Sequence, residues 1–166
     1  MRGSVLIVVG SASPRAHQQI AFLGRSGQYA MYHMGEPIAP DERNLLLHLP
    51  MLAPQAALDS ETSRRVSQAL AAQVCSIVQR EHPALLVLVG GDTAIAVLAR
   101  LGISSLHIVR ELLPGVPLAQ GRDRSGTLYT LVLKAGGHGD AAALQTIVQY
   151  AQESALGSLK FGHALR

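Results

Sequence analysis

Three times in this chain an apolar run stops at a glycine-bearing turn and passes directly into a helical pattern. The runs are Val5–Val9, Leu85–Val89 and TLYTLVLK at 127–134, and the turns are GSASP (10–14), GGDT (90–93) and AGGHGD (135–140). An unbroken run of apolar residues suits a strand buried on both faces, the usual condition in a parallel sheet. Turns that follow the C-termini of parallel strands lie along one edge of the sheet, and ligands bind there. A helix opening from such a turn offers unpaired N–H groups and about half a positive charge. Glycine lets the backbone approach an anion without a Cβ in the way. The recurrence therefore predicts three turns lining a phosphate-binding trough.

The rest of the chain fits that frame. Ser13 followed by Pro14 is the N-cap and first-turn order of a helix, which runs to about Gly24. QYAMYHM (28–34) and LLLHL (45–49) read as strands, the second inside a segment carrying Pro37, Pro40, Pro50 and Pro54. Val66, Leu70, Val74 and Ile77 keep helical spacing, with Asp59 or Ser60 as the cap and Pro83 as the stop. Ala94, Val97, Leu98 and Leu101 form the next helical face, closed by Gly102. LHIVREL (106–112) is a strand running into the PGVP turn, and GRDRSG (121–126) is a hairpin or loop tip. Leu144, Ile147, Val148 and Ala151 share one face of a final helix. Strands alternating with helices predict an α/β fold: a three-layer, Rossmann-like arrangement with a mainly parallel sheet and helices on both faces. Residues 1–166 read as one nucleotide-binding domain, with no linker or repeat inside it.

Composition excludes several classes. Apolar residues make up 48% and charged residues 15%, which is globular rather than disordered. No apolar stretch has the length of a membrane span. The net charge of +3 comes from arginines far more than lysines, without a dense basic run or interleaved aromatics. Small anions account for such arginines, and nucleic acid is not an expected partner. Cys75 stands alone, so no internal disulfide forms and a reducing cytoplasm is the expected compartment.

Individual residues carry two readings each. Ser13 caps its helix or contacts phosphate. Asp92 caps the helix after GGDT or holds a Mg²⁺ that bridges nucleotide phosphates, since a bare carboxylate beside phosphate would repel it. Lys134 neutralises phosphate or reaches past the strand end to water. His138 touches phosphate or base, or faces solvent. Glu111 holds the PGVP turn or acts in the site. Arg110 is a ligand contact or a structural residue, Arg122 and Arg124 belong to a solvated tip, and Cys75 is a small core residue rather than a nucleophile. The histidines show no metal-ligand spacing, so no metal bound by protein ligands alone is expected, and no catalytic residue is assigned. Neither the GxxxxGK[ST] nor the GxGxxG spacing is present.

GSASP, GGDTA, ELLPGVP and LKAGGHG, in that order, resemble the nucleotide-binding C-terminal domain of the four-carbon acid sugar kinase family. The likeness runs from the first strand to the last helix, and Gln19 and Ile20 match a helix of that family. It implies carbohydrate-metabolic phosphotransferase chemistry on acids such as threonate, erythronate or 3-oxo-tetronate, with ATP and Mg²⁺ bound. The nucleotide contacts it implies are Ser11 or Ser13; Gly90, Gly91, Asp92 and Thr93; and Gly136 with Gly137. Ala135 departs from a frequent serine and His138 from a frequent aromatic. The family's sugar-acid-binding N-terminal domain, which supplies the base, has no counterpart here. The resemblance thus implies a missing domain or partner chain and little kinase turnover without it. A homodimer stays open as an assembly. The rival readings are a degenerate, non-catalytic nucleotide-binding or interaction module, and a relation of GGDT to the GGDG loops of phosphofructokinase-like and NAD kinases, which leaves the other three motifs unexplained.

Overall fold

The computed structural model describes residues 3–50 and 59–162, with side chains described to Ser154. Pro54 lies outside the described residues. The elements in chain order are β1 (Val5–Val9), α1 (Pro14–Gly24), β2 (Ala30–His33), β3 (Asn44–His48), α2 (Ser60–Glu81), β4 (Leu85–Val89), α3 (Gly91–Leu101), β5 (Leu106–Leu113), β6 (Val116–Arg122), β7 (Leu128–Lys134) and α4 (Ala143–Gly162). They build one seven-stranded sheet in the order β2-β3-β1-β4-β7-β6-β5. Neighbours from β2 to β7 run parallel, whereas β6 is antiparallel to both β7 and β5.

The apolar runs of β1 and β4 are buried at every position because each strand has helices on both sides. Val5, Ile7 and Val9 pack with Ala16, Ile20 and Leu23 of α1 and with Leu144 and Ile147 of α4. Leu6 and Val8 point the other way, into Leu70, Val74 and Ile77 of α2 and Ala96 and Val97 of α3. The period-2 alternation of a strand thus divides one run between two cores and produces three layers.

Helix boundaries follow their local chemistry. The Ser13 side chain accepts a hydrogen bond from the Ala16 amide with Pro14 in the first turn, and Asp59 accepts from the Thr62 amide at the start of α2. Gly102 ends α3 in the left-handed conformation. The strands at 30–33 and 44–48 fall where the sequence predicts them. The strand β6 was not predicted. The chain from Val116 to Arg122 returns antiparallel between β5 and β7, and the GRDRSG tip is the turn that follows it. Pairing of β5 with β6 shifts register twice, between Ile108 and Arg110 and between Glu111 and Leu113.

Two connections fix where a ligand can sit. After β1 the chain crosses by α1 to β2 at one end of the sheet, and after β4 it crosses by α3 toward β5 at the other. These helices lie on opposite faces, while β1 and β4 are neighbours. Their carboxyl ends therefore form a topological switch point, where the two following loops part and leave a crevice.

Truncating a central position should cost far more than truncating an exposed one. Ile7→Ala, at a fully buried site, should lower unfolding free energy by about 2–5 kcal/mol. Ile95→Ala, on the exposed side of α3, should stay within about 0.5 kcal/mol of the parent. Urea denaturation of the two variants checks both values.

Candidate functional site

The three glycine-bearing turns meet at this switch point. The ladder continues one residue past each strand: the Gly10 amide donates to the Val89 carbonyl at 2.9 Å, and the Gly90 amide donates to the Lys134 carbonyl at 2.9 Å. The first residues of all three turns are thereby held side by side.

Contact between the turns explains two of their glycines. A Cβ on Gly10 would stand 1.7 Å from Thr93 Oγ1, and a Cβ on Gly136 would stand 2.3 Å from Ser11 Oγ. Thr93 is buried against the first turn, and Ser11 lies against the third. Gly90 has φ of +108°, a conformation closed to most side chains, and it approaches the Gly10 carbonyl carbon. Ser11 Oγ accepts from the Ser13 amide, and Ser13 Oγ, besides capping α1, donates to the Gly136 carbonyl at 3.5 Å. By contrast, Cβ positions on Gly91 and Gly137 meet nothing within 4 Å. Ser11, Ser13, Gly90, Thr93 and Gly136 thus knit the turns together, and Gly91 and Gly137 present open backbone.

Asp92 sits apart from this contact. The N-cap of α3 is Gly90, with no side-chain cap bond, so capping does not occupy the Asp92 carboxylate. Asp92 is exposed in the first turn and lines a groove of about 520 Å³ with Ser60, Ser63, Arg64 and Ser67 of α2. Arg64 carried no signal in the sequence because its approach to α3 is a tertiary event. Arg15 was missed for the same reason: its guanidinium donates to the Gly139 carbonyl at 3.3 Å.

The third turn is supported from below. Lys134 does not reach to water. It is 3% exposed, and its ammonium donates to the carbonyls of Ala135 (2.9 Å) and Gly136 (3.4 Å). Burial pushes its pKa down from 10.5 to about 8. His138 Nε2 donates to the Pro114 carbonyl, tying the turn to the β5–β6 hairpin, and Glu111 accepts from the Gly115 amide in that hairpin. Leu113, Pro114, Val116 and Ile147 surround a cavity of about 340 Å³ beside Lys134 and His138.

The remaining candidates lie elsewhere. Arg110 donates to Ser154 of α4. Arg122 donates to the Gly126 carbonyl at the tip beyond β6, at the opposite edge of the sheet from the three turns. Cys75 is buried in α2, and desolvation raises its thiol pKa, the reverse of what a nucleophile needs. No group of three or more potential metal ligands occurs among the described residues. Among them, too, no helix is long and apolar enough to cross a membrane.

Gly10→Ala should destabilise the protein by about 1–3 kcal/mol through overpacking against Thr93, read from urea midpoints. The depressed Lys134 pKa has its own signature. Between about pH 8 and 10.5 the unfolded chain holds a proton that the folded chain has released, so stability rises with pH across that window. Denaturation midpoints of Lys134→Met, which cannot titrate there, should lack this rise.

Residues 40–144 match the family model of a nucleotide-binding C-terminal domain. D-threonate kinase of Bordetella bronchiseptica is 30% identical over 167 residues, 91% of this chain and 41% of that kinase. D-threonate kinase of Cupriavidus necator is 37% identical over 99 residues, 59% of this chain and 23% of that kinase. A crystal structure from Bordetella bronchiseptica, described as a domain of unknown function with bound citrate in a domain-swapped dimer, has a TM-score of 0.74 at 29% identity. It covers 91% of this chain and 41% of that one. A Haemophilus influenzae protein shares the fold, with a TM-score of 0.58 at 18% identity over 92% of this chain and 40% of its own. The chain thus spans about two-fifths or less of the length of each. The matched segment carries both the GGDT turn and the glycine loop after β7, and the chain belongs to the nucleotide-binding C-terminal domain of the four-carbon acid sugar kinase family.

Proposed function

We propose that the three-turn rim binds ATP with Mg²⁺ and serves phosphoryl transfer to a four-carbon sugar acid of the threonate type. One observation carries this reading: the turns after β1, β4 and β7 meet at the switch point of the sheet and leave open backbone at Gly91 and Gly137. Gly91 opens α3, so its end of the helix faces an anion with unpaired amides and a favourable dipole. Ser11, Ser13, Gly90, Thr93 and Gly136 set the spacing of the turns, and Gly91 and Gly137 approach the phosphates. Arg15 and Lys134 add positive charge beside them.

Asp92 is the rim carboxylate free of a capping bond, and it fits a hard cation that arrives with nucleotide. Bound there, Mg²⁺ would neutralise phosphate charge. What this chain contributes is positioning and electrostatic complement, the main protein contributions to phosphoryl transfer. The sugar acid and the base that accepts its hydroxyl proton belong, in this reading, to another domain or chain. D-threonate kinases as the similar proteins, each more than twice this chain's length, support that division.

A second reading rests on the glycine contacts themselves. Gly10 and Gly136 are required by packing against Thr93 and Ser11 whether or not anything binds. The same turns would therefore persist in a non-catalytic interaction module.

Calorimetry with millimolar ATP separates the two. Heat that depends on Mg²⁺, weakened about tenfold or more in Asp92→Ala with the melting transition intact, is the expected result. No heat and no shift in melting temperature for the parent chain would leave the non-catalytic reading standing.

A further inference from the structure

Two buried side chains donate to almost every carbonyl of the third turn, beside the His138 amide on that of Ala135, Ser13 on that of Gly136 and Arg15 on that of Gly139. Lys134 donates to those of Ala135 and Gly136. From the other side, the Gln19 amide donates to those of His138 (2.9 Å), Gly139 (3.3 Å) and Asp140 (2.9 Å). Gln19 is fully buried and Lys134 nearly so, although one sits mid-helix in α1 and the other ends β7. Both lie close to Gly139, where an added Cβ would stand 3.7 Å from Gln19 Nε2 and 4.0 Å from Lys134 Cε.

A trans peptide unit is planar, and its C=O and N–H point in opposite directions. The turn contains no cis bond. A carbonyl drawn down onto Lys134 or Gln19 therefore turns the next residue's N–H away from them. Carbonyls 135 and 136 orient the amides of Gly136 and Gly137, and carbonyls 138 and 139 orient those of Gly139 and Asp140. None of these four amides has an intramolecular partner among the described residues. Successive outward N–H groups form an anion-binding concavity. The arrangement also has a cost: Gln19 Oε1 is buried with no hydrogen-bond partner. A buried unpaired acceptor is destabilising, because it loses its hydrogen bond to water and gains none in exchange. A packing role alone would be met at that site by leucine or methionine without this penalty.

We propose that Lys134 and Gln19 are positioning residues for polyphosphate: they hold the 135–140 turn with its amides aimed outward, one from each end. The inference rests on the nucleotide reading above and adds how the third turn takes its share of the anion. Neither side chain touches the ligand. The Lys134 ammonium stands behind the peptide units whose N–H groups face the anion, so its charge reinforces their dipoles through the backbone.

The test uses the 166-residue chain with Mg²⁺-ATP and with inorganic triphosphate, which has the charge but no base. In the parent chain, the Gly136, Gly137 and Gly139 amide resonances should shift on titration with either probe. Lys134→Met and Gln19→Met should each weaken both probes by a similar factor, about tenfold or more. Lys134→Arg, which keeps the charge and the donors, should recover part of the loss. Should the parent bind neither probe, the nucleotide reading falls with this one. Should it bind both while those glycine resonances stay in place, the positioning role falls and the nucleotide reading survives. Folded methionine variants with parental affinity would also overturn it, and the resonance measurement decides the matter if a variant fails to fold.

Discussion

The hydrogen-bond ladder does not stop where β1 and β4 end. The Gly10 amide still pairs with Val89 and the Gly90 amide with Lys134, so three chain segments leave the sheet in step. Parallel pairing of β1, β4 and β7 is what brings GSASP, GGDT and AGGHGD, far apart in sequence, to a common rim. The glycines then let the segments stay in contact after leaving the sheet, because Gly10 receives Thr93 and Gly136 receives Ser11. A side chain at either position would separate turns that the strands hold together.

Much of this was legible in the residues because it depends on local pattern. Burial on both faces writes itself as an unbroken run, and β1 and β4 were read from theirs. Ser13-Pro14 announces its helix, and Asp59-Ser60 the next, through capping chemistry that acts within four residues. The strand β6 gave no such signal. Pro117 and Gly121 interrupt its pattern, and its place is set by antiparallel partners on both sides rather than by its own propensity. Asp92 shows the same limit at one residue: favoured as a cap by type, it yields that position to Gly90, whose backbone must turn close to Gly10.

The site follows the same division. The glycines and serines were found because turn chemistry needs them locally. Gln19 drew attention only through resemblance, and its contacts lie about 120 residues away, with the carbonyls of the last turn. Lys134 was read as either a phosphate partner or a lysine reaching for solvent, and its burial beneath Ala135 rules out the second. Charge was legible as a total and not as a distribution. Arg15 leans on the glycine loop, whereas Arg110 is engaged with α4 and Arg122 closes a distant tip.

One of the sheet's two edge strands, β5, is irregular. Its pairing with β6 slips register twice, and every residue from His107 to Glu111 is exposed, Ile108 and Val109 among them. A foreign strand laid along that border would match a few donors and acceptors and then fall out of step. Border strands of this kind resist open-ended sheet growth, the hazard that two exposed apolar residues at a sheet margin would otherwise raise.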